Sequence, residues 1–326
     1  MRIVVLGAGA WGTALANVAA RGANDVVLWA RNADHVAEMQ AEKSNRRRLP
    51  GVAFAANLRA SSSLDELAGA SAILSVVPAQ AMRGVLTDLA AHIPAGIPIV
   101  VCAKGIEQKT ELFMSDVVRA VLPKNPAVIL SGPSFADDVG KKLPTAVTLA
   151  AEDGALAERL AVALAAPWFR LYHSRDVRGV EIGGAAKNVL AIASGIAAGR
   201  GLGASAGAAL IARGFAELSR FGRAFGAQPS TLMGLSGLGD LVLTCGSAQS
   251  RNFSLGLGLG RGLSLEEASG GKLAEGAFTA DVLVRMARAH GIDMPISHAV
   301  NDVLGGRIGV AEVIEQLLAR PPKAEG

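Results

Sequence analysis

A lysine in the middle of an apolar helix needs either a route to water or a use. Lys187 stands in Gly183-Gly184-Ala185-Ala186-Lys187-Asn188-Val189-Leu190-Ala191-Ile192, where almost every neighbour is apolar. Burial disfavours the charged form and lowers a lysine pKa. Such a lysine can give a proton to a carbonyl oxygen in a reduction and take it back in the oxidation. The plainer alternative is a helix lysine that snorkels to water. Asp240, in Gly234-Leu235-Ser236-Gly237-Leu238-Gly239-Asp240, is a carboxylate in an apolar, glycine-rich setting. A buried charge needs a partner; Lys187 or a substrate hydroxyl would serve, unless Asp240 only caps the helix after it. Ser250-Arg251-Asn252, at a helix start, suits an oxyanion or a phosphate, or is an ordinary N-cap. Lys104 directly follows the apolar run Pro98–Cys102. That position fits a substrate phosphate or a structural lysine.

These residues need a second ligand to work on, and the chain opens on a site for one. Ile3-Val4-Val5-Leu6 is an apolar strand, Gly7-Ala8-Gly9-Ala10-Trp11-Gly12 a glycine turn, and Thr13 to Ala20 a helix of small apolar residues. The turn fits the dinucleotide fingerprint G-x-G-x-x-G. Gly7 allows the sharp turn, Gly9 lets a pyrophosphate approach the backbone, and Gly12 lets helix and strand lie close. The helix start offers free N–H groups to phosphates. A second strand, Val26 to Ala30, completes a βαβ unit and ends in Arg31-Asn32. NAD-preferring sites usually carry a carboxylate there for the ribose 2′-hydroxyl. An arginine instead pairs with a 2′-phosphate, so the expected cofactor is NADP(H), with NAD(H) also open.

The remaining elements must carry these groups. Residues 33–43 read as a helix, followed by Arg46-Arg47-Arg48, which is either a solvated loop or an anion patch beside the cofactor. Ala72–Val77, Pro98–Cys102, Val128–Leu130, Ala146–Ala150 and Phe169–Tyr172 read as strands, with helices over 64–68, 79–91, 110–121 and 153–165. Alternating apolar strands and helices mean a parallel sheet covered on both faces. Pro78, Lys104 and Gly132-Pro133-Ser134 then fall at carboxyl ends of strands, where ligands gather in such sheets. After Arg175 the pattern is helical to about 317. The expected architecture is a doubly wound, mostly parallel Rossmann domain over 1–180 and an all-α domain over 181–326. Leu255-Gly256-Leu257-Gly258-Leu259-Gly260 is either loosely held or closely packed, because each interior glycine costs a helix about 1 kcal/mol relative to alanine.

The 326 residues carry 32 Lys and Arg against 28 Asp and Glu, a net charge of +4, with a pI of about 9.3. This mild excess suits an anionic small molecule and is too diffuse to argue for nucleic acid. Two cysteines, Cys102 and Cys245, and five scattered histidines show no metal-ligand spacing. No membrane insertion is expected: the uncharged runs Asn188–Gly199 and Gly201–Ala212 fall short of the ~20 residues a spanning helix needs. A short apolar opening without a leader pattern fits a cytoplasmic protein.

GAGAWGTALA, WARN, LPG, CAKGIE, LSGPSFA, GGAAKNVLAIASGI, GLSGLGDLVLTC and SRN occur in that order. In these motifs, from Gly7 to about Ala280, the chain resembles the bacterial-type NAD(P)-dependent glycerol-3-phosphate dehydrogenase family. The resemblance implies reduction of dihydroxyacetone phosphate to sn-glycerol 3-phosphate, a precursor for phospholipid synthesis, by a two-domain homodimer. Lys187 resembles the family's proton donor and acceptor, with Asp240 beside it in the catalytic pair. Lys104, Gly132, Ser134, Lys187, Asp240, Thr244, Ser250, Arg251 and Asn252 fall on its substrate positions. Gly7, Gly9, Ala10, Trp11, Gly12, Arg31, Asn32, Arg48, Lys104, Ala136, Arg251, Leu273 and Glu275 fall on its cofactor positions. Three of these depart from the common pattern: Ala10 replaces a serine, Arg48 a tyrosine and Leu273 a valine. The alternatives are another NADP-dependent hydroxyacid or sugar-nucleotide dehydrogenase, or a redox sensor without turnover; SRN after GLGDLVLTC favours the phosphorylated triose.

Overall fold

The computed structural model describes residues 1–22, 24–271 and 274–319; Leu273 lies outside them. Its first half is one twisted sheet. In chain order the strands are β1 (Arg2–Leu6), β2 (Asp25–Trp29), β3 (Leu58–Ser61), β4 (Ala72–Ser75), β5 (Ile99–Val101), β6 (Ala127–Ser131), β7 (Thr145–Ala151) and β8 (Phe169–Ser174). They lie side by side as β3-β2-β1-β4-β5-β6-β7-β8. The first six are parallel; β7 runs antiparallel to β6, and β8 parallel to β7. The sheet is therefore mostly parallel.

Alternate residues of each strand serve opposite faces, since side chains alternate along a strand. Ile3, Val5, Val26 and Leu28 pack under α1 (Ala10–Arg21), α2 (Ala33–Glu42), α6 (Ala136–Gly140) and α7 (Gly154–Leu164). Val4, Leu6, Val27, Ile73 and Ile99 face α3 (Asp65–Ala68), α4 (Met82–Leu89) and α5 (Met114–Val121). Both faces are covered, so these strands read as unbroken apolar runs.

Two expectations are corrected here. β3 was not anticipated: Leu58-Arg59-Ala60-Ser61 is short, carries a charge and pairs only with β2, at the sheet edge. The helix expected over 110–121 begins only at Met114; residues 106–113 form a loop closed by an Ile106–Phe113 bridge.

The second half is helical: α8 (Val177–Gly199), α9 (Gly203–Ala224), α10 (Pro229–Leu232), a π-helical turn over Leu235–Gly239, α11 (Asp240–Cys245), α12 (Arg251–Gly260), α13 (Leu265–Ser269), α14 (Glu275–Ala289), α15 (Pro295–Leu304) and α16 (Val310–Leu318). α8 is its axis. It is long and apolar enough by length and composition to cross a membrane, but 89% of the window that qualifies is buried inside the protein. The uncharged runs on either side of Arg200 belong, before it, to this core helix and, beyond it, mostly to α9. Val177 and Val180 still pack on the sheet, whereas Ile182 onward packs among the helices.

The glycine-rich α12 is closely packed. A Cβ on Gly256 would stand 2.0 Å from the Ile192 carbonyl oxygen, and one on Gly195 would stand 2.1 Å from that of Phe253. Gly199 and Gly260 extend the same backbone-to-backbone crossing of α8 and α12. Side chains there would push Lys187 and Arg251 apart, so the glycines set the width of the site.

Candidate active site

The loops that leave β4, β5 and β6 at their carboxyl ends face the helical lobe. Lys187, at the end of the third turn of α8, is 6% exposed, and its ammonium is held by Asp240 Oδ1 at 2.8 Å and Thr244 Oγ1 at 2.7 Å. The Thr244 hydroxyl in turn donates to Asp240 Oδ1 at 3.2 Å. Asp240 Oδ2 accepts from Lys104 Nζ at 2.5 Å, and Lys104 also donates to the Gly132 carbonyl at 3.0 Å. One buried carboxylate thus sits between two lysines from opposite lobes. Asp240 opens α11, but its partners are those lysines, so it is no simple cap.

Burial is what allows a lysine to work as an acid near neutral pH. It brings the Lys187 ammonium down to about 8; Asp240 pulls it back up and Lys104 pushes it further down. Burial alone would raise the Asp240 carboxyl, but Lys104 and then Lys187 outweigh that and hold it below the ordinary carboxylate range. Each lysine keeps one N–H beyond the two it uses here, because an ammonium has three donors.

Glycines make room for the cluster. A Cβ on Gly184 would stand 2.7 Å from Ser131 Oγ and 3.3 Å from Lys104 Cγ, and one on Gly183 would stand 2.4 Å from the Ser236 carbonyl oxygen. Gly132, at φ +149°, turns the chain after β6 where a Cβ would meet Val147. Ser134 Oγ donates to the Gly132 carbonyl at 3.1 Å, and Ala136 opens the short α6.

The SRN segment divides its work. Ser250 is the N-cap of α12, its Oγ accepting from the Phe253 amide at 3.2 Å. Arg251 is exposed beside it. Asn252 is 8% exposed and makes one bond within the protein from each end of its amide. Its Nδ2 donates to Asn188 Oδ1 at 3.0 Å, and its Oδ1 accepts from the Gly276 amide at 2.9 Å. Asn188 reaches on to the Lys104 carbonyl at 3.4 Å. Asn252 therefore ties α12 to α8 and to the start of α14. Glu275, half-buried at that start, has its carboxyl raised by burial, while Arg251, the Ala79 amide and Lys104 oppose the rise. Arg251, Glu275 and the chain leaving β4 therefore meet at one side of the lysine pair.

The glycine turn fits a dinucleotide. Gly7 has φ +110°, and a Cβ there would stand 2.9 Å from the Val76 carbonyl oxygen. A Cβ on Gly12 would stand 1.9 Å from the Gly7 carbonyl oxygen, which is why helix and turn can close on each other. Gly9 is the contrast: nothing lies within 4 Å of where its Cβ would be. No side chain caps α1, so its first amides point into that open space. Ala10 lies half-buried in the first turn, next to Trp11, which packs near Phe169 with ring centroids 6.4 Å apart. Arg31 is exposed past β2, and Asn32 caps α2 by accepting from the His35 amide at 2.8 Å. Arg46 and Arg47 pair with Glu42 and Glu38 of α2, while Arg48 is exposed and makes no side-chain bond among the described residues. The arginine run is thus mostly folded back on α2 and does not form a shared anion patch.

Sequence reasoning missed Asn45. It is fully buried, donates to the Ala8 carbonyl at 3.0 Å and to Thr13 Oγ1 at 2.8 Å, and so braces the glycine turn from outside. Nothing in its spacing marks it. Glu181 was missed as well. Its buried carboxylate accepts from the Ser115 amide and hydroxyl, both at 2.7 Å, and so caps α5 from α8.

Comparison with known proteins agrees with this geometry. Residues 2–157 match the N-terminus of the NAD-dependent glycerol-3-phosphate dehydrogenases, and residues 176–315 their C-terminus. The chain is 64% identical to the glycerol-3-phosphate dehydrogenase [NAD(P)+] of Beijerinckia indica, over 99% of this chain and 97% of that one. It is also 64% identical to that of Azorhizobium caulinodans, over 99% and 98%. The crystal structure of glycerol-3-phosphate dehydrogenase from Coxiella burnetii superposes with a TM-score of 0.93 at 42% identity, covering 98% of this chain and 99% of that one. The chain belongs to the NAD-dependent glycerol-3-phosphate dehydrogenase family.

Proposed function

We propose that the protein interconverts dihydroxyacetone phosphate and sn-glycerol 3-phosphate with NADPH or NADH, and that Lys187 is its proton donor and acceptor. The observation that carries this reading is the buried Lys104–Asp240–Lys187 cluster at the carboxyl ends of β5 and β6, beside the glycine turn. The bound nicotinamide supplies the hydride to the carbonyl carbon, or receives it in reverse. Gly7, Gly9 and Gly12 leave the first amides of α1 open to its pyrophosphate. Arg31 meets a 2′-phosphate. Arg251 holds the substrate phosphate, with Ser250 setting the start of α12 under it and Asn252 holding that start to α8.

Lys187 gives its free N–H proton to the developing alkoxide oxygen, and Asp240 and Thr244 fix the ammonium while it does so. A positioned positive charge counts most where negative charge develops. In the reverse direction neutral Lys187 takes the hydroxyl proton. The division between the lobes falls within α8 at 180/181, in a cytoplasmic homodimer; the family resemblance carries those last two features.

The test follows nicotinamide absorbance with dihydroxyacetone phosphate and NADPH, then NADH. Rapid oxidation of NADPH, with Lys187→Met slower in kcat by ~10²–10⁴-fold, is the expected result. Lys187→Met within about threefold of wild type would remove the lysine from that role.

A further inference from the structure

The segment after β5 does not stay with its own lobe. Ile106 and Phe113, fully or almost fully buried, are part of the helical core together with Ile182, Leu190 and Phe221. Between them the Gln108 side chain donates to the Phe278 carbonyl of α14 at 3.1 Å, and Arg285 of α14 donates back to the Gln108 carbonyl at 2.8 Å. Arg285 also lies 3.5 Å from Glu111 of the same segment. On its other side the segment is tied to the chain leaving β4. Gln80 accepts from the Gln108 amide at 3.0 Å and donates to the Ile106 carbonyl at 2.8 Å. Lys104, which reaches across to Asp240, is four residues before Gln108.

We infer that Gln108 and Arg285 are positioning residues: they clasp the segment after β5 to α14 and so hold Lys104 on Asp240 across the gap between the lobes. Neither touches the reacting groups. Without the clasp, the segment keeps Ile106, Phe113 and the Gln80 bonds as anchors but loses its tie to α14, and with it the register that aims Lys104.

This inference rests on Lys187 being the proton donor, and that link gives it a specific readout. The groups facing Lys187 are Asp240, Thr244 and Cys245 of α11, Lys104 after β5, and Glu275 at the start of α14. Of these, Lys104 is the cation that pushes the Lys187 proton off. If Lys104 withdraws, Asp240 pairs with Lys187 alone and the proton is held more tightly. The alkaline limb of kcat for carbonyl reduction then moves to higher pH. A merely structural weakening would lower activity and leave the limb in place.

The experiment measures kcat, KM and the pH profile for NADPH-dependent reduction of dihydroxyacetone phosphate by wild type, Lys187→Met, Arg285→Ala, Gln108→Ala and Arg285→Lys. The clasp is expected to show as a kcat about tenfold or more lower in Arg285→Ala with KM little changed. Its alkaline limb is expected to rise by about half a pH unit or more. Arg285→Lys, which keeps a donor for the Gln108 carbonyl, should restore both. Should Arg285→Ala fail to fold, Gln108→Ala, at a half-buried position, is read in the same way. A limb at the wild-type pH in Arg285→Ala, or in Gln108→Ala should only that variant fold, overturns the clasp. An inactive wild type, or an active Lys187→Met, instead overturns the reading of the reaction on which the clasp rests.

Discussion

At the scale of single residues, the site depends on where burial places charge. Asp240 is 1% exposed and would be intolerable there alone; two lysines make it tolerable, and in return it holds both of them. Removing one partner of such a set leaves an uncompensated buried charge. Asp240→Asn should therefore lower kcat at least as much as it lowers stability, which paired kinetic and melting measurements would reveal. The proposed contact with a 2′-phosphate also belongs to a single residue. Arg31 is exposed and bonds nothing among the described residues, so it is free for a 2′-phosphate. Arg31→Ala should raise KM for NADPH about tenfold, the loss expected for one charged hydrogen bond at an exposed site, and leave KM for NADH unchanged. Equal effects on both cofactors would assign Arg31 to the protein surface. Lys187, Asp240 and Arg251 stood out in the sequence as candidates because each is a charged group in apolar or helix-start surroundings. The engagement of Asn252 by Asn188 and Gly276 was not visible there: an asparagine at a helix start looks the same whether it faces a ligand or a neighbouring helix.

At the scale of elements, helix starts and helix crossings control the geometry. Glu217 of α9 is 1% exposed and caps α15 from a distance, accepting from the Ile296 amide at 2.5 Å and the Ser297 amide at 3.1 Å. Burial raises its carboxyl to about 7 against those bonds, and burial raises that of Glu181 to about 7 as well. In both cases the folded state holds the proton more tightly than the unfolded chain. Their contribution to stability is full below about 4.5, the ordinary glutamate value, and is lost as pH rises through about 7. Denaturant midpoints measured across that window should fall with rising pH, and less so in Glu217→Gln. Glu217→Ala leaves two amides and the Ser297 hydroxyl unpaired and should cost about 1–3 kcal/mol.

The crossing of α8 and α12 gives a sharper contrast between glycines. Gly256→Ala places a methyl 2.0 Å from a carbonyl oxygen, whereas nothing lies within 4 Å of a Cβ on Gly207 of α9. The first should destabilise by about 1–3 kcal/mol, as overpacking does, and the second should stabilise by about 0.5–1 kcal/mol. Melting curves of the two variants decide it; a tolerated Gly256→Ala would mean that the crossing has slack. Neither glycine's environment is written in the repeat Leu-Gly-Leu-Gly-Leu-Gly, which is equally compatible with a loose helix and a tight one.

At the scale of the whole molecule, two lobes of different architecture share one charge cluster. Most of the sheet could be read from the sequence because its central strands are buried on both faces and appear as apolar runs. The parts that could not be read are those that depend on a neighbour. β3 is an edge strand with a charge, the reversal at β7 leaves no mark on an apolar run, and residues 106–113 look like the start of a helix until the helical lobe takes up Ile106 and Phe113. The same packing shows why the lobes are not independent bodies joined by a linker: Lys104 comes from one and Asp240 from the other.

The central claim is that buried Lys187, held near 8 by its surroundings, delivers the proton. The most direct measurement is kcat for reduction of dihydroxyacetone phosphate by NADPH from about pH 6 to about pH 10, in wild type and in Lys187→Met. The expected result is a wild-type rate that falls above about 8 as the ammonium loses its proton, with the reverse reaction rising over the same range. Lys187→Met should be slow and lack that limb. A Lys187→Met enzyme that still shows the wild-type limb would contradict the account, because the titrating acid would then be another group.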